Sequence, residues 1–420
     1  MNNWENFCEE ITSIYDDLGE LGDGSPADYI PQLAKVNPKL FGVSVVSVSG
    51  EVFNIGDTSH RFCIQSCCKP MLYSLVLEEH GAERVSKHIG REPSGKSFNC
   101  LEFNSENKPH NPLINAGAIM AASLVKPDER SDDRYDYIIS EYKRIIGSED
   151  IGFDNSVYLS ERNTASRNRA LSHLMMENSI FPKNTSIDET LELYFQTCSI
   201  TMTTQELAKF AGVLANSGRG LDSGVVLISP HTVKDILCVM YSSGMYDYSG
   251  RWSFEVGLPA KSGVSGCIFV VIPGVCGICV FSPPLDSMGN SVRGVELFKR
   301  LAKRFRIHIF DTLVDGLAKK KSVTRHCANK KISKIYEYCK LGNSEKLGEI
   351  LDDSDSDLDV NEGDYDDRRP LHIAVEENHI DCVKVLIKHG ADPNLEDRWG
   401  VTPIGKAENE IRELLISDRN

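Results

Sequence analysis

A hydroxyl and an amine stand three residues apart in Ser66-Cys67-Cys68-Lys69, a spacing suited to nucleophilic catalysis. At a helix start, residues i and i+3 share one face, with about 5–6 Å between Cβ atoms. A helix N-terminus stabilises negative charge growing on the serine oxygen. A lysine taken out of water there gives up its proton more readily and can serve as a neutral general base. Pro70 agrees with a helix beginning near Ser66, since proline is tolerated in a helix only in its first turn. Alone the pair is weak evidence. Ser140-Glu141-Tyr142-Lys143 repeats the spacing inside an amphipathic helical pattern, where a solvated surface pair is expected.

A second motif strengthens the first. Lys261-Ser262-Gly263 in a strand-like run resembles the partner of Ser-x-x-Lys in the penicillin-recognising serine hydrolases. The strand edge at Val264 offers a backbone N–H that, with that of Ser66, can form an oxyanion hole. Together the motifs point to acyl transfer through a serine ester. The remaining signature of those enzymes, Ser-Asp-Asn or Tyr-x-Asn, is absent, as is a Gly-x-Ser-x-Gly elbow.

These groups need a scaffold. Residues 1–28 suggest a short amphipathic helix and a Gly-rich loop, and Leu40–Phe53 alternates as a hairpin turning at Ser49-Gly50. Helical spacing follows at Met71–Glu79, Tyr135–Ile146, Ala165–Glu177, Ile187–Tyr194 and Gln205–Ala215. Strand patterns return at Gly257–Val264, Cys267–Ile272 and Gly277–Phe281, with Leu297–Phe305 as a closing helix. Strands at both ends with helices between them imply an α+β domain over residues 1–320, its sheet assembled from the two termini. Beyond it, Arg369-Pro370-Leu371-His372-Ile373-Ala374 and Val401-Thr402-Pro403-Ile404 mark one ankyrin period of about 33 residues. Residues 321–420 are therefore expected to form an all-α ankyrin-repeat module, with Lys331–Leu351 as a degenerate first unit and His372 in a structural role.

Other features carry less. The 420 residues are 41% hydrophobic and 25% charged, with a net charge of −15, a poor balance for binding nucleic acid. No apolar run approaches the roughly 20 residues of a membrane span. Thirteen cysteines without a secretory signal suggest reduced thiols; Cys276-Gly277-Ile278-Cys279 would send its sulfurs to opposite faces of a strand, so core packing is preferred to a metal site. Gly90 to Ser97 matches a phosphate-binding loop formally, but Glu79–Ile89 before it is helical in pattern rather than a buried strand. Asp353-Ser354-Asp355-Ser356-Asp357 suggests a calcium loop, yet Leu358 and Asp364 stand where an EF-hand needs Gly and Glu. Read with Met1 as the natural start, the first residues imply the cytoplasm.

Gln65-Ser66-Cys67-Cys68-Lys69-Pro70, Lys108-Pro109-His110-Asn111-Pro112 with Asn115-Ala116-Gly117, Ser160-Glu161-Arg162, Gly244-Met245-Tyr246-Asp247, Gly257 to Gly263 and Ser282-Pro283-Pro284-Leu285-Asp286 together resemble the glutaminases. The likeness is greatest to the animal kidney/liver-type enzymes with C-terminal ankyrin repeats, and runs from about residue 27 to 315 and on into the repeats. It implies a β-lactamase-like or penicillin-binding-protein-like domain that hydrolyses the γ-amide of glutamine. By this resemblance Ser66 is the nucleophile, Lys69 its base and Tyr246 the phenol that relays a proton to the leaving ammonia. The N–H groups of Ser66 and Val264 become the oxyanion hole. Glu161 holds the substrate's α-ammonium with Tyr29 beside it, Gln65 joins the binding set, and Asn115, Asn168 and Tyr194 hold the α-carboxylate and orient the side chain. Glu161 and Asn168, seven apart, are expected on one side of a helical segment.

The resemblance also implies a tetramer of paired dimers, inorganic phosphate as activator, no metal or organic cofactor, and mitochondria as the alternative compartment. The ankyrin module suggests a protein partner. The chain departs from the family at Ser97, Cys100 and Glu102, in the loop that gates the site, and in a shorter segment before Ala27. Two rivals remain: another serine amidase of the same fold, and a non-enzymatic ankyrin scaffold.

Overall fold

The branched residues Val43, Val45 and Val46 lie in the first strand of the opening hairpin. Strand β1 (Gly42–Ser47) turns at Ser49-Gly50, where Gly50 takes φ +85°, into β2 (Val52–Gly56). The computed structural model describes residues 3–96, 99–311, 320–321, 330–352, 359–364 and 366–417. These divide into two units, Met1–Lys321 and Ser322–Asn420.

In the first unit β2 is an edge and stays partly exposed, whereas β1 is buried along its whole length. Strands from the far end of the unit cover β1: β6 (Ala260–Gly263), β7 (Cys267–Ile272) and β8 (Cys276–Phe281) complete an antiparallel sheet of order β2-β1-β8-β7-β6. Cys276 and Cys279 both lie buried on β8, and the Cys279 sulfur packs 3.5 Å from that of Cys267. A smaller sheet of order β3-β5-β4 joins β3 (Phe62–Cys63), β4 (Gly152–Phe153) and β5 (Ile200–Met202). Its strands are too short to show a period of two in the sequence.

Helix α1 (Asn3–Leu18) buries Phe7, Ile11, Ile14 and Leu18, a stripe at helical spacing. It packs on α11 (Val292–Arg304), with Phe7 edge-on to Phe305 at 4.9 Å and Arg300 paired to Asp17 at 3.3 Å. Helix α8 (Thr204–Ala215) covers β1, β7 and β8. Between the strand sets lie α2 (Cys68–Ser86), α3 (Asn115–Leu124), α4 (Ser131–Ile146), α5 (Asn155–Thr164), α6 (Ser166–Glu177) and α7 (Ile187–Cys198). Then come α9 (Pro230–Ser243) and α10 (Ser249–Glu255). Helix α2 changes direction at Gly81, φ +74°, which ends the one-sided pattern read to Glu79. The second Ser-x-x-Lys pair sits on α4, where Lys143 meets Glu149 at 3.2 Å.

The second unit stacks helix pairs: α12 (Lys330–Leu341) with α13 (Ser344–Leu351), α14 (Pro370–Glu376) with α15 (Ile380–Lys388), and α16 (Pro403–Lys406) with α17 (Asn409–Ser417). They share one apolar core that includes Leu347, Leu371, Val383, Leu386 and Leu415. His372 is buried in this frame. Its Nδ1 accepts the Arg369 N–H at 3.0 Å and its Nε2 lies 3.0 Å from the Val401 carbonyl, bridging one repeat to the next. The Asp353–Asp357 stretch lies outside the described residues.

Candidate active site

The chain arrives at Ser66 from β3, with the Ile64 N–H donating to the Ile200 carbonyl at 2.9 Å. Gln65 then takes φ +48°, and a 3-10 turn, Gln65–Cys67, runs directly into α2. A left-handed non-glycine residue costs about 1–3 kcal/mol and persists only where its surroundings fix it. Here the Gln65 amide donates to Glu161 Oε2 at 3.1 Å and to the Cys198 carbonyl at 3.2 Å. Ser66 keeps 9% of its surface exposed, while Lys69, one turn on, keeps 1%.

Lys69 is held by donation to Asn115 Oδ1 at 2.8 Å and to the Leu113 carbonyl at 3.3 Å. Burial pushes its pKa down, against the opposing effects of Cys198, Cys68 and Glu161. A neutral amine has two N–H groups and one lone pair. With both N–H groups engaged, the lone pair remains for a proton.

Strand β6 abuts this turn. A Cβ on Gly263 would stand 2.9 Å from the Ile64 carbonyl oxygen and 3.2 Å from Cys67 Sγ, so only glycine lets the strand reach the nucleophile's backbone. Val264 follows, in one apolar cluster with Ile30, Cys63 and Val157, against which Tyr246 packs. On the other side of β6, the Ser262 N–H donates to the Gly244 carbonyl at 3.1 Å, and a Cβ on Gly244 would meet the Ala260 oxygen at 1.7 Å. This contact delivers Tyr246, φ +55°, with its phenol beside Ser66; burial pushes the phenol pKa far up. Gly244→Ala is therefore expected to cost roughly 1–3 kcal/mol or more through overpacking and to reduce turnover by displacing Tyr246. Thermal melting and kcat measured together check both effects.

The remaining groups meet across an open cleft of about 590 Å³. Tyr29, Gln65, Ser66, Asn115, Glu161, Asn168 and Tyr194 all line it. Lys69 reaches it through Asn115, while Tyr246 stands behind Ser66 and does not line it. Glu161 and Asn168 do not share a helix as the sequence spacing suggested. The path breaks at Ala165, φ −84° and ψ 28°, among the poor helix formers Thr164 and Ser166, so that α5 carries Glu161 and α6 carries Asn168. The break lets Asn115 Nδ2 donate to Asn168 Oδ1 at 2.9 Å, while Asn115 Oδ1 also accepts from the Tyr194 hydroxyl at 3.2 Å. Both polar atoms of Asn115 are thus used within the protein.

Burial raises the Glu161 carboxyl to about 7, offset in part by the Gln65 hydrogen bond and the Lys69 charge. Tyr29 leaves half its surface exposed, but its hydroxyl end is enclosed near Tyr246 and Glu161 and its pKa is pushed well up, mainly by burial. Asn99, Thr164, Arg167 and Cys198 also line the cleft and were not singled out in the sequence. Cys198 was within reach of that reading, lying four residues after Tyr194 on α7. The formal phosphate-binding loop follows the helical end of α2 with no strand before it, and Lys96 pairs with Glu102; Ser97 lies outside the described residues.

A family model described as Glutaminase matches residues 24–310. The chain belongs to the glutaminase family. An Ankyrin repeat model matches residues 366–398. The mitochondrial liver isoform of glutaminase from Rattus norvegicus is 39% identical over 417 residues, spanning 96% of this chain and 67% of that protein. A glutaminase of Nostoc sp. is 43% identical over 307 residues, 73% of this chain and 91% of its own. The solved structure of Mglu in its Tris and glutamate form matches with a TM-score of 0.68 at 34% identity, covering 74% of this chain and 68% of that one. These glutaminase neighbours establish the serine β-lactamase-like, α+β fold.

Proposed function

We propose that the chain hydrolyses the γ-amide of free L-glutamine to L-glutamate and ammonia, the family's reaction, through a glutamyl ester on Ser66. The observation that carries this is the single cleft in which Ser66 and Glu161 meet, with buried Lys69 tied to its wall by Asn115. Lys69 takes the Ser66 proton as the oxygen attacks the γ-carbon, and the N–H groups of Ser66 and Val264 receive the oxyanion. Tyr246 protonates nitrogen as the C–N bond breaks, and water then cleaves the ester by the reverse proton path. Glu161 pairs with the α-ammonium, Tyr29 lies beside it, and Gln65 keeps the Glu161 carboxylate aimed. For the α-carboxylate the available donor is Asn168 Nδ2, oriented by Asn115 and Tyr194 behind it.

The family resemblance extends the proposal to a tetramer of paired dimers activated by inorganic phosphate. The repeat unit supports docking of a protein partner. Among the described residues no helix is long and apolar enough to cross a membrane. The liver isoforms of rat and mouse are described as mitochondrial, which favours that compartment over the cytoplasm. Ammonia release should be measured with glutamine, asparagine and a chromogenic β-lactam, each with and without phosphate. Turnover of glutamine alone, raised by phosphate, is expected; β-lactam hydrolysis, or no turnover at all, contradicts the proposal.

A further inference from the structure

From Glu206 to Ala215 every residue of α8 is buried except Lys209. That one opening faces a pocket of about 630 Å³ between α8, the C-terminal end of α4 and the β1–β2 turn, with the loop 220–227 as its fourth side. The walls are fitted to one another. Gly212 admits the Leu221 side chain, whose Cδ1 would stand 3.1 Å from a Cβ there, and Gly50 brings the hairpin turn to within 3.3 Å of Asp222 Oδ1 by the same measure. The Leu227 N–H donates to the Gly218 carbonyl at 2.8 Å, and Arg144 donates to the Leu227 carbonyl at 3.0 Å while pairing with Glu141 at 2.7 Å.

The Arg144 charge is therefore already answered. Among the described residues neither Lys209 nor Asp222, which both line the pocket, has an ion-pair or hydrogen-bond partner. Between them lies an apolar lining that includes the buried Val46, Ile145, Ile146 and Val213. Opposite charges that do not reach each other, set around apolar walls, complement a ligand carrying both signs and an apolar body. A plain carboxylate would be repelled by Asp222 and a plain amine by Lys209.

We propose that this pocket is a second amino-acid site, taking a free amino acid with an apolar side chain. The ligand's carboxylate pairs with Lys209, its ammonium pairs with Asp222, and its side chain covers Val46, Ile145 and Val213. Burial of that side chain supplies affinity and the two charges supply orientation. No residue of the glutamine cleft lines the pocket, so the proposal stands apart from the hydrolysis above. For a ligand of this size half-saturation at roughly 0.1–10 mM is expected.

Ligand-observed NMR titration of the full chain with L-leucine, glycine, 4-methylpentanoate and 3-methylbutylamine tests this, repeated on Lys209→Met, Asp222→Asn and Glu161→Gln. Leucine should bind, and each of the other three probes at least about 10-fold more weakly. Lys209→Met and Asp222→Asn should each weaken leucine about 10-fold or more while cooperative melting and glutamine turnover persist. Glu161→Gln should leave leucine affinity within about twofold. Should one pocket variant fail to melt cooperatively, the other decides. Leucine that fails to bind at about 50 mM, or that binds both pocket variants as it binds the parent, overturns the proposal. So does loss confined to Glu161→Gln, which places leucine in the glutamine cleft, and so does 4-methylpentanoate binding as tightly as leucine, which leaves Asp222 no part.

Discussion

Ser66→Ala releases ammonia from glutamine at a rate reduced by roughly 10⁴-fold or more, with glutamine affinity little changed. The size follows from the route. Without the hydroxyl there is no ester, and the oxyanion donors and the buried amine have only water to act on. Affinity survives because Gln65 holds Glu161, and Asn115 holds Asn168 and Tyr194, with none of these bonds made to Ser66. Gln65 is fixed by Glu161 and Cys198, and Asn115 by Lys69, Tyr194 and Asn168. Isothermal calorimetry with the variant and a steady-state assay separate the two quantities. A variant keeping a tenth of the parent rate would show that another group attacks the amide.

Glu161→Gln acts on the other half of the site. It exchanges a charge-assisted contact with the α-ammonium for a neutral one, so KM should rise roughly 10- to 100-fold while kcat changes less. The pH dependence gives this prediction a sign. Because burial raises Glu161 to about 7, the free site is neutral at that position below pH 7 and anionic above it. In the parent, kcat/KM should therefore climb as pH rises through 7, and this limb should vanish in the Gln variant. Stability should move the opposite way. A carboxyl whose folded pKa is raised binds its proton more tightly in the native state, so ionising it weakens the fold as pH rises from the ordinary carboxylate range through 7. At pH 8 the Gln variant should melt no lower than the parent, although it binds substrate less well. A drop in melting temperature with unchanged KM would assign Glu161 to the scaffold.

Much of this site could be read before any coordinates. Ser66 and Lys69 declare a shared face by their spacing, Pro70 fixes the helix start, and valine alternation places β1. Gly263 shows why a glycine follows Lys261-Ser262: the strand must touch the nucleophile's turn. The rest was hidden for physical reasons. Helix α3, from Asn115 to Leu124, is buried on all sides and so lacks the polar face that would give it periodicity. The three-stranded sheet has strands of two or three residues, yet it sets the path into Gln65. The poor helix formers Thr164 and Ser166 allow a break at Ala165 without requiring one; with α6 packed against α3 and α7, the break places Glu161 and Asn168 on different helices.

The claim beneath all of this is a covalent glutamyl group on one oxygen. Mixing the protein with glutamine, quenching in acid within a turnover and mapping the digest by mass spectrometry tests it most directly. A glutamyl adduct on the peptide containing Ser66, removed by dilute base and missing in Ser66→Ala, is the predicted result. Steady ammonia release with no adduct on that peptide, or with the adduct on a different residue, contradicts it.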